Sequence, residues 1–273
     1  MPQTRIVTFT TDFGLTDHYA GTMKGVVLGL APSAQLVDIS HGVPAFNVFA
    51  GSLTLGQAYP YFPAGTVHVA VVDPGVGSVR RPILVEGAGQ FFVGPDNGVF
   101  SQVYEREESV LVRHITAERF FLHPVSQTFH GRDIFARIAG CLACGASPSD
   151  FGDEVSGYVT VAGSASITLP DGNVRGEVMA VDHFGNLITN IRSATVVHAT
   201  AGGEIRLRVA GKMLHGDIRS NYVAAKADEI FGIIGSSGYL EISCSRASAT
   251  DRLGVGVGVG VGAEVILGQA ITR

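Results

Sequence analysis

Five stretches of this 273-residue chain carry side chains that could bind or transform a small molecule. Thr10-Thr-Asp-Phe-Gly14 ends a β-branched, aromatic run with a carboxylate. Asp12 at such a turn could accept both hydroxyls of a ribose, or it could serve the chain alone as an Asx-turn or helix N-cap. Val72-Asp-Pro-Gly-Val-Gly-Ser-Val-Arg-Arg81 supplies a second acid, Asp73, and a Pro-Gly-x-Gly bend whose backbone N–H groups could face a ligand. Arg80 or Arg81 could fold back on Asp73, and taken alone the segment reads first as a structural salt bridge. Phe129-His-Gly-Arg-Asp133 opens a helix after a loop. There the helix dipole would hold His130 neutral and able to accept a proton, although a lone histidine more often only makes a hydrogen bond. Val181-Asp-His-Phe-Gly-Asn-Leu-Ile-Thr-Asn190 and Gly235-Ser-Ser-Gly-Tyr-Leu-Glu241 are polar segments of the kind that bind a small zwitterion or merely turn the chain.

Several chemistries are missing. The G-x-G-x-x-G dinucleotide fingerprint is absent, and no Gly-Lys-Ser/Thr follows the Gly-x-Gly to make a phosphate loop. No Gly-x-Ser-x-Gly elbow follows a strand, which disfavours a serine hydrolase. The nine histidines show no H-x-x-x-H or H-E-x-x-H spacing and no pair of H-x-D, so no metal is expected. Net charge is -5 with no basic run, and phosphate binding needs clustered cations, so nucleic acid is not expected as a partner. With 46% hydrophobic and 16% charged residues, disorder or a coiled coil is excluded. The apolar excess raises the question of a membrane, but no stretch reaches eighteen apolar residues free of charge or dense glycine. Met1–Asp12 carries no signal-like apolar region. The expectation is a cytoplasmic protein that buries surplus apolar surface between subunits. Three cysteines make no disulfide framework, and Cys141 and Cys144 read as buried helix residues.

The elements that must position these groups alternate. Strands are expected at Arg5–Thr11, Gln35–Ile39 and Thr66–Val72, with helices at Tyr19–Leu30, Phe46–Tyr59 and Asp133–Cys144, and a hairpin from Ile83–Glu86 to Gln90–Val93. Thr66–Val72 is nearly all apolar, as for a strand covered on both faces of a parallel sheet. This is an α/β pattern, and its ligands gather beyond the carboxyl ends of the strands. Asp12 and Asp73 would both lie on that rim. After about Phe151 the pattern becomes short strands with abundant Gly, Ser and Thr and few helix signals: Val174–Val181, Glu204–Val209, Ile230–Ile234, Tyr239–Ser243 and Ala263–Leu267. The chain therefore divides into an α/β domain over 1–160 and a small β-barrel or sandwich over 171–273. Gly254–Gly262 alternates Gly and Val, as suits a strand approached closely by another backbone or a loop.

Together the blocks resemble one family, the S-adenosyl-L-methionine hydrolases (hydroxide adenosyltransferases), relatives of the fluorinase and chlorinase. Thr11-Asp-Phe-Gly, Val72 to Arg81, Gly94-Pro-Asp-Asn-Gly98, Phe129 to Asp133, Asp182 to Asn190 and Gly238-Tyr-Leu-Glu-Ile242 fall in the family's order over nearly the whole chain. The resemblance implies a Rossmann-like α/β N-terminal domain and a β-barrel C-terminal domain. It implies homotrimers whose active sites lie between one subunit's N-domain and a neighbour's C-domain. The family's triad falls on Asp73, Arg80 and His130, and its ribose-binding acid on Asp12. Phe46 falls where relatives place an aromatic near the ligand. Asp182, Asn186, Ser236, Ser237 and Glu241 fall on positions near the methionine end or ribose, and Ser245 and Arg246 near the adenine. The implied reaction cleaves S-adenosyl-L-methionine with water to adenosine and methionine, with no cofactor. In the fluorinase, tyrosines replace the acid and the histidine, and a serine follows; here Asp73 would repel a halide and Gly131 offers no hydroxyl. A chlorinase-type halogenase and a non-catalytic binding module are the alternatives.

Overall fold

The computed structural model describes residues 5–161, 163, 165–199, 205–209, 211–216, 218–255 and 261–269. The chain forms two compact units, Met1–Ala162 and Gly163–Arg273. The protein is mixed α/β with one sheet in each unit.

The first unit runs β1 (Ile6–Thr11), α1 (Tyr19–Leu30), β2 (Gln35–Ser40), α2 (Val48–Ala58), β3 (Val67–Val71), β4 (Pro82–Gly87), β5 (Gln90–Pro95), α3 (Ser101–Arg106), β6 (Leu111–His114) and α4 (Ala136–Ala143). Its sheet order is β2-β1-β3-β5-β4-β6. The β1–β2, β1–β3 and β3–β5 pairs are parallel, and β4 is antiparallel to both neighbours. Every residue of β3 is buried, because helices cover both faces. Val67, Val69 and Val71 join a core with Met23 and Val27 of α1 and Ile138 and Leu142 of α4. Ala70 joins the opposite core with Leu55 of α2 and Val103 of α3. The one polar residue of β3 is satisfied internally: His68 hydrogen-bonds Thr8 Oγ1 at 2.7 Å and Gln90 Oε1 at 3.0 Å. Burial pushes its pKa down to about 4, so it is a neutral core residue.

Strand order reverses at β1, which has β2 on one side and β3 on the other. Crevices form at such switch points, beyond the carboxyl ends of the strands. Thr11 is in register with Val71, so Asp12 and Asp73 emerge at the same end of adjacent strands.

The second unit contains β7 (Ile167–Thr168), β8 (Val174–Val181), β9 (Leu187–Arg192), α5 (Ser193–Ala199), β10 (Ile205–Val209), β11 (Lys212–Gly216), β12 (Ile218–Arg219), β13 (Ile230–Ile234), β14 (Tyr239–Cys244), α6 (Ala249–Leu253) and β15 (Glu264–Gln269). They form one curled sheet, ordered β11-β10-β15-β8-β9-β14-β13-β12 with β7 on β8. Its core takes alternate residues such as Val174, Val178, Leu187, Ile191, Leu240, Ile242, Val265 and Leu267, the period-two pattern of a sheet with one packed face.

Several expectations are corrected here. The helix expected from Phe46 starts at Val48, because Phe46 has a positive φ of 66° and Asn47 caps the helix by accepting from Ala50 N at 2.9 Å. The helix expected from Asp133 is preceded by a π turn over Gly131–Phe135. The segment read as a polar loop up to Asn190 becomes strand at Leu187, which pairs with β8 and β14. The helices α5 and α6 were not foreseen in the second unit. Cys144 is exposed, not buried; it lies just past the last residue of α4 and its thiol donates to Leu30 O at 3.1 Å. In the Gly-Val segment, 256–260 lie outside the described residues. No described helix is long and apolar enough to cross a membrane.

Candidate active site

Asp12 leaves the carboxyl end of β1, and its Oδ2 accepts the backbone N–H of Phe46 at 2.8 Å. That bond holds Phe46 in a left-handed conformation that non-glycine residues rarely adopt, with 74% of the residue exposed. Strain of this kind gathers at ligand clamps. Behind Asp12, Thr11 Oγ1 and His41 Nδ1 share a 2.8 Å hydrogen bond, and His41 Nε2 lies 3.0 Å from Asp38 Oδ1.

Asp73 stands two residues beyond β3. Its Oδ1 accepts from Arg80 Nε at 3.0 Å, and its Oδ2 accepts from Arg80 Nη2. The same Nη2 reaches His130 Nδ1 at 2.7 Å. The Asp73 and Arg80 side chains are only 4% and 9% exposed, and the guanidinium lies over the Phe135 ring at 5.3 Å. Arginine has donors only, so Nδ1 is the bare nitrogen of His130 and its ring proton sits on Nε2. Burial, and then the Arg80 charge, hold the His130 pKa below its ordinary 6.5. A helix start was expected to keep this histidine neutral; burial and Arg80 do so instead. Arg81, the other candidate, turns away to Asp96, donating from Nε to Oδ2 at 2.9 Å.

The loop from Asp73 to Arg80 is pressed against the segment that leads to His130. Gly77 has φ 78°, and a Cβ there would come 2.3 Å from the Gln127 carbonyl oxygen. A side chain at this position would push apart the two stretches that carry the cluster. His130 itself stands at the N-cap position of the π turn without a side-chain cap bond, and such turns are frequent at functional sites.

These groups open on a cleft of about 260 Å³ lined by Asp12, Tyr19, Phe46, Asp73, Phe129 and His130. Arg80 lies behind Asp73, outside the lining. The cleft therefore joins a carboxylate at one end of the switch point to a buried acid, guanidinium and neutral imidazole at the other. Among the described residues no group of His, Cys, Asp and Glu could hold a metal ion.

The second unit brings Asp182, Asn186, Ser236, Glu241 and Arg246 to a separate cavity of about 700 Å³. Asp182 Oδ2 accepts from Asn186 Nδ2 at 2.7 Å, which closes the turn between β8 and β9. Glu241 points into β14's neighbour loop, and only a glycine at 235 leaves room, since a Cβ there would come 1.7 Å from Glu241 Oε1. Burial, with a further contribution from Asp182, raises the Glu241 pKa, while a hydrogen bond from Tyr222 acts against both. Ser237 and Ser245, placed with this group by sequence, do not line the cavity. Ser237 Oγ is buried with no hydrogen-bond partner, and Ser245 is 7% exposed.

Sequence reasoning missed Phe13, Tyr19, Val76 and Phe129 in the first cleft and Phe184 and Tyr222 in the second cavity. Phe13, Phe129 and Phe184 are adjacent or nearly so to Asp12, His130 and Asp182, which was the available signal. Tyr222 lies in an unremarkable loop and gave none.

The sequence matches the model of the SAM hydroxide adenosyltransferase N-terminal domain over residues 7–152 and that of the C-terminal domain over residues 176–262. The chain belongs to this family. A relative from Thermus thermophilus named (R)-S-adenosyl-L-methionine hydrolase is 35% identical over 92% of this chain and 96% of its own length. One of the same name from Salinispora tropica is 34% identical over 93% of this chain and 96% of its own. A crystal structure of an uncharacterized conserved protein from Thermotoga maritima superposes with a TM-score of 0.89 at 34% identity, over 96% of this chain and 100% of that one. Within the SAM hydroxide adenosyltransferases, then, this member carries the acid, guanidinium and imidazole as one bonded cluster rather than as three separate motifs.

Proposed function

We propose that this protein hydrolyses S-adenosyl-L-methionine to adenosine and L-methionine. The observation that carries the reading is the Asp73–Arg80–His130 cluster beside the Asp12 cleft. The two relatives named as hydrolases support it. The sulfonium leaves as a neutral thioether, so neither a cofactor nor a metal is required. What remains is to hold a water in line behind the ribose 5′ carbon, about 3–3.5 Å away. The C5′–O bond forms as the C5′–S bond breaks with its electron pair going to sulfur, and one proton is released.

The hydrogen bonds divide the work. Both Asp73 oxygens bond Arg80, yet each keeps a lone pair, so Asp73 accepts from the water and takes up its proton. His130 has Nδ1 occupied by Arg80 and presents Nε2–H, so it orients the water as a donor rather than acting as the base. Arg80 holds both partners and stabilises hydroxide character. Asp12 takes the ribose hydroxyls and Phe46 lies against the ligand. Water is attacking a cation in a place lined by aromatic rings, where exclusion of bulk solvent strengthens the electrostatics.

Protonating His130 would set an N–H against Arg80 Nη2 and break the cluster. Turnover should therefore fall on acidification with a midpoint below the ordinary histidine value of 6.5, because the pKa is lowered. A pH profile of kcat checks this; a midpoint at or above that value would remove His130 from the role.

We read the first unit as a Rossmann-like domain and the second as a β-barrel domain, joined over 160–171. In this reading Asp182, Asn186, Ser236, Ser237 and Glu241 take the methionine end and Ser245 and Arg246 the adenine. They come from a neighbouring copy in a homotrimer, and the exposed Leu15, Phe46 and Val79 would supply apolar surface for that contact. Light scattering should give three times the 28.5 kDa of one chain, and a fully active monomer would end the reading. The partner is the small molecule, not nucleic acid. Three unpaired cysteines suit the reducing cytoplasm.

The decisive experiment is incubation with S-adenosyl-L-methionine and chromatography for adenosine and methionine, with and without excess chloride. Binding without adenosine release would make the protein a binding module. Accumulation of 5′-chloro-5′-deoxyadenosine would make it a halogenase.

A further inference from the structure

Gly94-Pro95-Asp96-Asn97-Gly98 lies outside both cavities, and nothing in the reaction described above uses it. Asn97 Nδ2 donates to the carbonyl of Val72 at 2.8 Å, and its Oδ1 accepts the N–H of Val99 at 3.2 Å. Asp96 N donates to the carbonyl of Arg81 at 2.9 Å. The Asp96 carboxylate accepts from Arg81 through Oδ2 and from Val159 N through Oδ1, the latter at 2.8 Å. Val72 immediately precedes Asp73, and Arg81 immediately follows Arg80.

The strand ladder explains why such bonds are needed. Pairing of β3 with β5 ends at Val69–Val93, so Val72 lies past the last rung on that side. Its residue is fully buried, and water cannot replace the lost partner of a buried carbonyl. Asn97 supplies the missing donor from a side chain. At the other end of the loop Asp96 holds Arg81 by both backbone and side chain.

We propose that Asn97 and Asp96 are positioning residues: a single turn pins the first and last anchors of the loop that carries Asp73 and Arg80. With both ends held, the acid and the guanidinium meet in one geometry. This rests on the catalytic reading of Asp73 and Arg80 given above. Released at Val72, the loop moves Asp73 relative to the bound substrate, and a displacement of order 1 Å costs up to about 100-fold in rate.

The test uses the full-length protein and steady-state kinetics with S-adenosyl-L-methionine. Asn97→Ala removes both side-chain bonds. Asn97→Asp keeps the acceptor for Val99 but sets a carboxylate oxygen against the Val72 carbonyl. Both variants should lose kcat by about 10- to 100-fold, with KM nearly unchanged. Wild-type kcat in Asn97→Asp would overturn the proposal, because Asn97 would then only shape its own turn. If neither variant melts cooperatively, Asp96→Asn decides, since it weakens the grip on Arg81 while keeping an acceptor; wild-type kcat there overturns the proposal and a kcat loss at constant KM supports it. Asp73→Ala is assayed beside them. Full activity in Asp73→Ala sinks the catalytic reading itself, whereas an inactive Asp73→Ala with unimpaired Asn97→Asp sinks only the clamp.

Discussion

Asp73→Ala should lower turnover of S-adenosyl-L-methionine by about 10²–10⁴-fold, the range typical of a positioned proton acceptor. The Michaelis constant should move little, because Asp73 touches the attacking water and not the parts of the substrate that hold it. The other two members of the cluster cannot take the proton. Arg80 can only donate, and His130 Nδ1 is already engaged by Arg80 Nη2 at 2.7 Å. Asp73 lines the cleft and is the one group of the three that keeps an acceptor lone pair beyond its bonds to the others. Asp73→Asn keeps the shape and removes the charge, so it should be nearly as slow. It also sets an amide against a guanidinium that has lost its counter-ion. Initial rates of adenosine release at saturating substrate measure both. Wild-type turnover in either variant would exclude Asp73 from the chemistry.

Arg80→Ala should damage stability as well as rate. Asp73 is 4% exposed in its side chain and bonded to Arg80 through both oxygens. Removing one partner of a buried pair leaves the other charge without compensation, at a cost of about 3–5 kcal/mol. His130 loses the donor to Nδ1 at the same time, so its tautomer is no longer set. The Phe135 ring also loses the cation above it. Denaturant unfolding should shift to a lower midpoint with turnover abolished. Arg80→Lys should recover part of the stability but little of the rate, because a point charge cannot hold two carboxylate oxygens and an imidazole in one plane. An Arg80→Ala protein as stable as wild type would show that the ion pair contributes nothing net to the fold.

The ordering of elements in the first unit follows from local physics. Thr66–Val72 is apolar at nearly every position because β3 is covered on both sides, and Tyr19–Leu30 stops where Ala31-Pro32 cannot continue a helix. The acids at the ends of β1 and β3 could likewise be marked as rim residues. The second unit was less legible. Leu187–Arg192 follows a turn rich in Asp, Gly and Asn and begins inside a segment with too few apolar residues to reveal its period. Its strand state comes from pairing with β8 across that turn and with β14, which is distant in sequence. Phe46 opens the expected helix Phe46–Tyr59, but the bond to Asp12, 34 residues away, holds it outside.

The amino-acid order by itself determined which chemical groups are available and which strand ends carry them, since period, breaker residues and motif spacing are properties of short windows. Its local spacing left Arg80 and Arg81 equivalent as partners of Asp73, and the family resemblance favoured Arg80 without a physical reason. The folded chain supplies that reason, because Asp96 arrives from β5 to take Arg81 and leaves Arg80 for Asp73 and His130. The tautomer and depressed pKa of His130 are decided in the same way. Such properties depend on burial and on charges a few ångströms apart in space but 50 residues apart in sequence, and no local pattern encodes that distance.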